Sequence, residues 1–189
     1  MRNTLLIGLL GLATLQLSGC APIVVGGVGA GALMADDRRT PTTYLMDEEI
    51  EITATARLFN AKLDGVHANY TSFNRRVLIT GEASTEAGRA KVEETAKGVV
   101  NVREIINEIA IASPSSLVGR SNDGYITAKV KTRLFEDKRF NANHIKVVTE
   151  RGIVYLMGLV KRAEGDAAAE VAAGTGGVLK VVKVFEYID

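Results

Sequence analysis

Apolar positions along this chain fall into three regimes. Leu5 to Leu17 form an apolar run broken only by Gly, Thr and Gln. Residues 21–35 are also apolar but full of glycine. Each glycine costs a helix about 1 kcal/mol relative to alanine, so this stretch reads as a flexible segment, which the polar residues Asp36 to Pro41 continue. From about residue 44 the apolar positions become periodic, and the period occurs twice. Ile50, Ala54 and Leu58 lie in IEITATARLF, and Ile126, Val130 and Leu134 lie in ITAKVKTRLF, each an i, i+4, i+8 stripe of a core-facing helix.

The repeat continues downstream. Val77 to Gly81 answers Val154 to Gly158, and Gly98 to Val102 answers Gly177 to Val181, so the body holds two copies of one unit. Within each unit the first helix precedes a hairpin: Val66 to Phe73 and Val77 to Gly81 around Asn74-Arg75, then Ile145 to Thr149 and Ile153 to Leu159 around Arg151-Gly152. A second helix follows, opened at Ser84 or Thr85 and stopped at Gly98, with a counterpart from Arg162 to Ala173. Val100 to Ile111 and Val178 to Ile188 close the units as strands. A right-handed crossover through the second helix makes each closing strand parallel to a neighbour. The predicted fold is therefore α+β, two tandem α-β-β-α-β units, each with a small mixed three-stranded sheet and two helices. The expected boundaries are 1–19 for a leader, 20–43 for a flexible linker, 44–112 for the first unit, 113–121 for a second linker, and 122–189 for the second unit. A unit of about 65 residues buries only some 60% of its unfolded surface, so the two copies are expected to pack on each other.

Composition adds the compartment. Arg2, the apolar run and the small residues before Cys20 make a secretory signal peptide, and Leu17-Ser18-Gly19-Cys20 has the form of a lipobox, after which Cys20 is the acylated first residue of the mature chain. Cys20 is the sole cysteine, so no disulfide forms within the chain, and acylation accounts for the odd thiol. Ala21 follows it where an aspartate would signal inner-membrane retention, which points to the outer membrane. Removing residues 1–19 takes away Arg2 alone, so 23 Lys+Arg against 22 Asp+Glu becomes 22 against 22. That balance excludes a general nucleic-acid binder.

Charge is unevenly divided between the copies. Once the core stripe is removed, the second copy's first helix presents Tyr125, Ala128, Lys129, Lys131, Thr132 and Phe135, the composition of an interfacial helix. Asp123 against Lys129, Lys131 and Arg133 gives residues 123–135 a net charge of +2, while Asp47, Glu48, Glu49 and Glu51 against Arg57 give residues 47–59 a net −3. At ~1 kcal/mol per basic residue beside an anionic surface, the second helix is attracted where the first is repelled. Phe135 has a counterpart in Phe59, so packing between the two units stays open as its alternative role. His67 and His144 carry no metal-binding spacing, and no nucleophile elbow or phosphate loop occurs, so no metal, cofactor, small-molecule substrate or catalytic activity is expected.

Lipobox, glycine-rich linker and two units whose second strand ends in a glycine resemble the dual BON-domain lipoproteins of the Gram-negative envelope, the DolP type. The most specific piece is Ser121 to Thr127 with Val147 to Gly158, which looks like the second BON domain of that group; the first domain departs more. The resemblance implies a non-catalytic protein that binds anionic phospholipid and supports outer-membrane integrity. Placed on this chain, it means a body anchored through Cys20, facing the periplasm, with Tyr125, Ala128, Lys129, Lys131, Thr132, Arg133 and Phe135 as lipid contacts. The alternative is an adaptor that binds an envelope protein such as the assembly machinery for outer-membrane barrels.

Overall fold

In the computed structural model of this chain, residues 37–189 are described. The expected leader, Cys20 and the glycine-rich residues 21–35 lie outside them. The fold is α+β and repeats the α-β-β-α-β order. The first unit holds α1 (Pro41–Ala61), β1 (Val66–Phe73), β2 (Arg76–Ala83), α2 (Glu86–Lys97), β3 (Glu104–Asn107) and β4 (Ala110–Ile111). The second holds α3 (Leu117–Glu136), a 3₁₀ turn (Ala142–His144), β5 (Ile145–Glu150), β6 (Ile153–Val160), α4 (Arg162–Ala173) and β7 (Lys180–Tyr187).

Both first helices begin earlier than their apolar stripes suggest, because of their caps. Thr40 accepts a hydrogen bond from the Thr43 amide at 3.1 Å, and Pro41 occupies the first turn, where its missing N–H costs nothing. Ser116 accepts from the Gly119 amide at 3.1 Å and starts α3 at Leu117, inside the stretch expected as a linker. Nor do Arg38 and Arg39 belong to a loose tether. The Arg39 side chain is 7% exposed, lies 4.1 Å over the Phe73 ring and bonds Asp47 at 2.8 Å.

In each unit the hairpin strands pair antiparallel, Tyr70 opposite Ile79 and Val147 opposite Leu156, and the closing strand runs parallel to the second hairpin strand. The first closing strand is shorter than expected and divided in two. The Asn107 side chain turns back to accept from the Ile109 amide at 3.1 Å, interrupting the ladder, yet Arg76–Glu104 and Glu82–Ala110 keep the same offset. Gly81 and Gly158 sit inside their strands, which continue to Ala83 and Val160, rather than at the ends. A Cβ there would strike the carbonyl oxygen of His67 on β1, or that of His144 at the end of the 3₁₀ turn before β5.

The hairpin turns explain why two aspartates are buried in helices. Asn74 (φ 52°) with Arg75 (φ 66°), and Arg151 (φ 53°) with Gly152 (φ 73°), take the left-handed conformations of a two-residue primed turn. Asp47 receives the amides of Asn74 and Arg75 at 2.8 and 2.7 Å, and Asp123 receives those of Arg151 and Gly152 at 2.9 and 2.8 Å. Each first helix thus clamps its own hairpin from three residues ahead of Ile50 or Ile126.

Side-chain alternation along the strands builds three apolar layers. Val77 and Ile79 face Ile50, Ala54 and Val92 of the first unit's helices, and Val154 and Leu156 face Ile126, Val130 and Leu134. The intervening positions point the other way: Phe73 and Leu78 meet Tyr155, Met157 and Val184 between the two sheets. β2 and β6 are therefore buried on both faces, which is why they read as unbroken apolar runs. The order of layers is helices, sheet, sheet, helices. Polar ties cross the same seam, with Arg76 donating to the Val184 carbonyl at 3.1 Å and Lys146 to Glu51 at 2.7 Å. Packing of the copies on each other is observed, and it runs sheet to sheet.

Candidate functional site

Stacking the sheets leaves α3 on the outside of its layer. Its buried positions are Asp123, Ile126, Val130 and Leu134. On the opposite side stand Leu117 (76% exposed), Val118 (80%), Tyr125 (65%) and Phe135 (58%), with Ala128 and Thr132 between them, also exposed. The expected contacts therefore share one face, and neither Phe135 nor the more exposed Phe59 packs between the units. Leu117 and Val118 were not foreseen, because the serines before them read as linker; the one signal for them was Ser116 in capping position. Leu179, 81% exposed, projects beside the turn that Asp123 holds, adding a further apolar group outside the helix.

The cations on this face divide into two kinds. Lys129 lies 5.3 Å over the Tyr125 ring and donates to the Gly176 carbonyl at 2.5 Å, while Arg133 donates to the Gly174 carbonyl and, at 3.2 Å, to the Thr175 hydroxyl. Both therefore complement the negative end of α4. Lys131 is exposed and makes no hydrogen bond or ion pair among the described residues. Asp123 counts in the sequence charge of this segment, but it is turned inward and committed to the hairpin. The outward charge is correspondingly more basic than the sequence sum.

The equivalent face of α1 is also apolar, with Leu45 (63% exposed), Ile52 (69%) and Phe59 (81%). It borders an open groove of about 600 Å³ lined by Ile52, Thr55, Ala56, Phe59 and Tyr70. Here the exposed charged neighbours are Glu48 and Glu49, with Arg57 exposed at the margin as the counterpart of Arg133. Apolar exposure is common to both helices; the sign of charge separates them.

A second concentration of polar groups lies between the units. His67 on β1 and Glu82 on β2 are register partners, and Glu150 at the end of β5 reaches the same place, so that one ligand atom from each lies within 4.8 Å of the others. Glu82 is fully buried; its Oε2 accepts from the Ser115 amide at 3.1 Å. Burial and then the nearby Glu82 push the Glu150 carboxyl up to about 7, and burial and then Arg120 lower His67. Sequence spacing gave no hint of this group, since it forms only when the sheets stack.

Comparison with known proteins follows the repeat. The BON domain family matches residues 47–113 and 122–189. The chain is 38% identical over 180 residues to the outer membrane lipoprotein DolP of Haemophilus influenzae (strain ATCC 51907 / DSM 11121 / KW20 / Rd), covering 94% of this chain and 93% of that one. It is 35% identical over 155 residues to a 21 kDa hemolysin of Actinobacillus pleuropneumoniae, covering 81% and 80%. It is also 30% identical over 108 residues to the osmotically-inducible protein Y of Escherichia coli (strain K12), covering 56% and 54%.

Proposed function

Because the chain belongs to the BON-domain family, as a dual-domain protein of the DolP type, we propose that it is a non-catalytic outer-membrane lipoprotein, acylated at Cys20, whose second domain binds anionic phospholipid through α3 and supports outer-membrane integrity. The observation that carries this reading is the outer face of α3: Leu117, Val118, Tyr125 and Phe135 stand exposed in a row with Lys131 beside them and Lys129 and Arg133 at the margin. Aromatic and aliphatic groups enter the headgroup boundary while lysine stems follow their heads to phosphate. Among the described residues no helix is long and apolar enough to cross a membrane, so contact by α3 is peripheral.

Attachment itself needs only acyl chains, at ~0.8 kcal/mol per buried CH₂. The role of α3 is then to orient the tethered body and to select anionic patches. Reversing Lys131 to Glu changes two charge units, worth ~2 kcal/mol at ~1 kcal/mol per charge, or roughly 30-fold in affinity. Residues 37–189, lacking the anchor, are expected to bind vesicles of phosphatidylglycerol in phosphatidylcholine, to release them as salt rises, and to lose binding in Tyr125→Ala/Lys131→Glu/Phe135→Ala. Unchanged binding by that variant refutes the reading.

A second reading, an adaptor for an envelope protein such as barrel-assembly machinery, is favoured by the groove along α1. Its apolar floor, with Glu48 and Glu49 exposed on the same helix, suits a basic, apolar partner segment. Crosslinking from Phe59 to one dominant envelope protein, in a chain that ignores vesicles, would support it over the first.

A further inference from the structure

We propose that His67, Glu82 and Glu150 form a binding site for a divalent transition-metal ion of the zinc type, which joins the two domains across their sheets. One imidazole and two carboxylates are a donor set such ions take, with water completing a four-coordinate shell. The ligands come from both units: His67 and Glu82 face each other across the first hairpin, and Glu150 ends the first strand of the second. Their ligand atoms already lie within 4.8 Å of one another. Metal bonds of about 2.1 Å place tetrahedral donors roughly 3.4 Å apart, so closure asks for movement on the order of an ångström, within reach of side-chain rotation.

A second observation points to a cation. Glu82 is 0% exposed, and its Oε1 has no hydrogen-bond partner, although burying a carboxylate oxygen without one is costly. The nearest cationic atom to it is a guanidinium nitrogen of Arg151 at 3.9 Å, on a side chain 47% exposed. The rest of the carboxylate is held in place, Oε2 by the Ser115 amide, and Glu150 is steadied by Asn69 at 3.2 Å. These are the outer contacts that orient ligands in metal sites.

Two cations oppose the site. Arg120 sits 3.3 Å from His67 Nδ1, and Arg151 approaches Glu82; both are exposed residues able to swing into solvent. On the other side Asp123 adds negative charge to the field at Glu150. An opening of about 310 Å³, whose lining includes Gly81, Arg89, Glu108, Glu150, Arg151 and Tyr155, reaches Glu150, the ligand at the edge of the site.

The test is calorimetric titration of Zn²⁺ into the full acylated chain in non-ionic detergent, with Co²⁺ absorption to report ligand type. One Zn²⁺ per chain is expected, with a Co²⁺ spectrum of nitrogen and oxygen ligands and no thiolate band. His67→Gln is expected to weaken binding at least 10-fold, and Glu82→Gln/Glu150→Gln to abolish it while the circular dichroism spectrum stays that of the parent. Should Glu82→Gln/Glu150→Gln not fold, His67→Gln with its half-buried side chain decides alone. No Zn²⁺ uptake at 100 µM by the parent, or uptake unchanged in His67→Gln, overturns the proposal.

Discussion

Asp123 is the residue whose loss separates the clamp from the helix that carries it. Replacing it by alanine removes a carboxylate that accepts two backbone amides, Arg151 at 2.9 Å and Gly152 at 2.8 Å, the second of them buried. Hydrogen bonds to a charged group contribute about 1.5–3 kcal/mol each, so the pair is worth about 3–6 kcal/mol. The turn it holds is costly in itself, because Arg151 takes a left-handed conformation that side chains disfavour. In the first unit the same substitution at Asp47 should cost more. Asp47 accepts the Asn74 and Arg75 amides, the Ser72 hydroxyl at 2.6 Å and Arg39 at 2.8 Å, and its removal leaves the buried Arg39 guanidinium with Asp37 as its carboxylate partner. Asn at either position keeps one acceptor oxygen and should recover about half of the loss. Urea unfolding of residues 37–189 at pH 7.5 measures both. A loss below about 1 kcal/mol for Asp123→Ala, or a smaller loss for Asp47→Ala than for Asp123→Ala, refutes the clamp.

Other expectations follow from single contacts. Arg38 donates to both oxygens of Glu164, at 2.6 and 2.8 Å, and holds that carboxyl down to about 2. A depressed carboxyl stabilises the fold above its unfolded pKa, so Arg38→Ala should cost on the order of 1 kcal/mol at pH 7, and the difference from the parent should fade as pH drops from about 4.5 toward 2 in acid-unfolding curves. Gly158→Ala drives a methyl group into the His144 carbonyl and should cost about 2 kcal/mol, lowering Tm by about 4–8 °C in calorimetry. Leu78→Ala empties a position between the sheets and should cost about 2–5 kcal/mol, with amide shifts changing around Tyr155 and Met157 in the other unit; shifts confined to the first unit would contradict the layered packing.

Much of this was legible in the sequence because it rests on periodicity. The i, i+4, i+8 stripes at Ile50 and Ile126 located both core-facing helices, and the polar pairs Asn74-Arg75 and Arg151-Gly152 located both hairpin turns. Helix starts were less visible: Ser113 to Ser116 have turn composition, and the one signal for the start at Leu117, Ser116 as a cap, is masked by the Ser-Pro-Ser that precedes it. The inward turn of Asp123 was hidden as well. A helical wheel places charges by angle alone, and it cannot know that a hairpin 28 residues downstream presents two unpaired amides to this one. The cluster of His67, Glu82 and Glu150 depends on contacts between units, for which sequence carries no period.

The two copies keep the same internal devices and differ on their outer faces. Asp47 and Asp123, Gly81 and Gly158, and the two primed turns do the same work in each unit, so these positions answer to the fold. Sheet-on-sheet stacking then uses up the faces of the sheets that the helices leave open, and the outward surfaces that remain are those of the helices. One such layer carries Leu45, Ile52 and Phe59 among acidic groups, and the other carries Leu117, Tyr125 and Phe135 among basic ones. If the proposed function holds, a body with unlike outer layers, tethered at one end to an anionic membrane, would be turned by charge: the basic layer would be drawn toward the lipid and the acidic layer pushed from it, at ~1 kcal/mol per charge within a Debye length of about 8 Å. The apolar seam that packs the two sheets together is what would let charge on α3 bear on where α1 points. On that proposal, contact of α3 with lipid and presentation of the α1 groove away from it would be one arrangement rather than two competing ones.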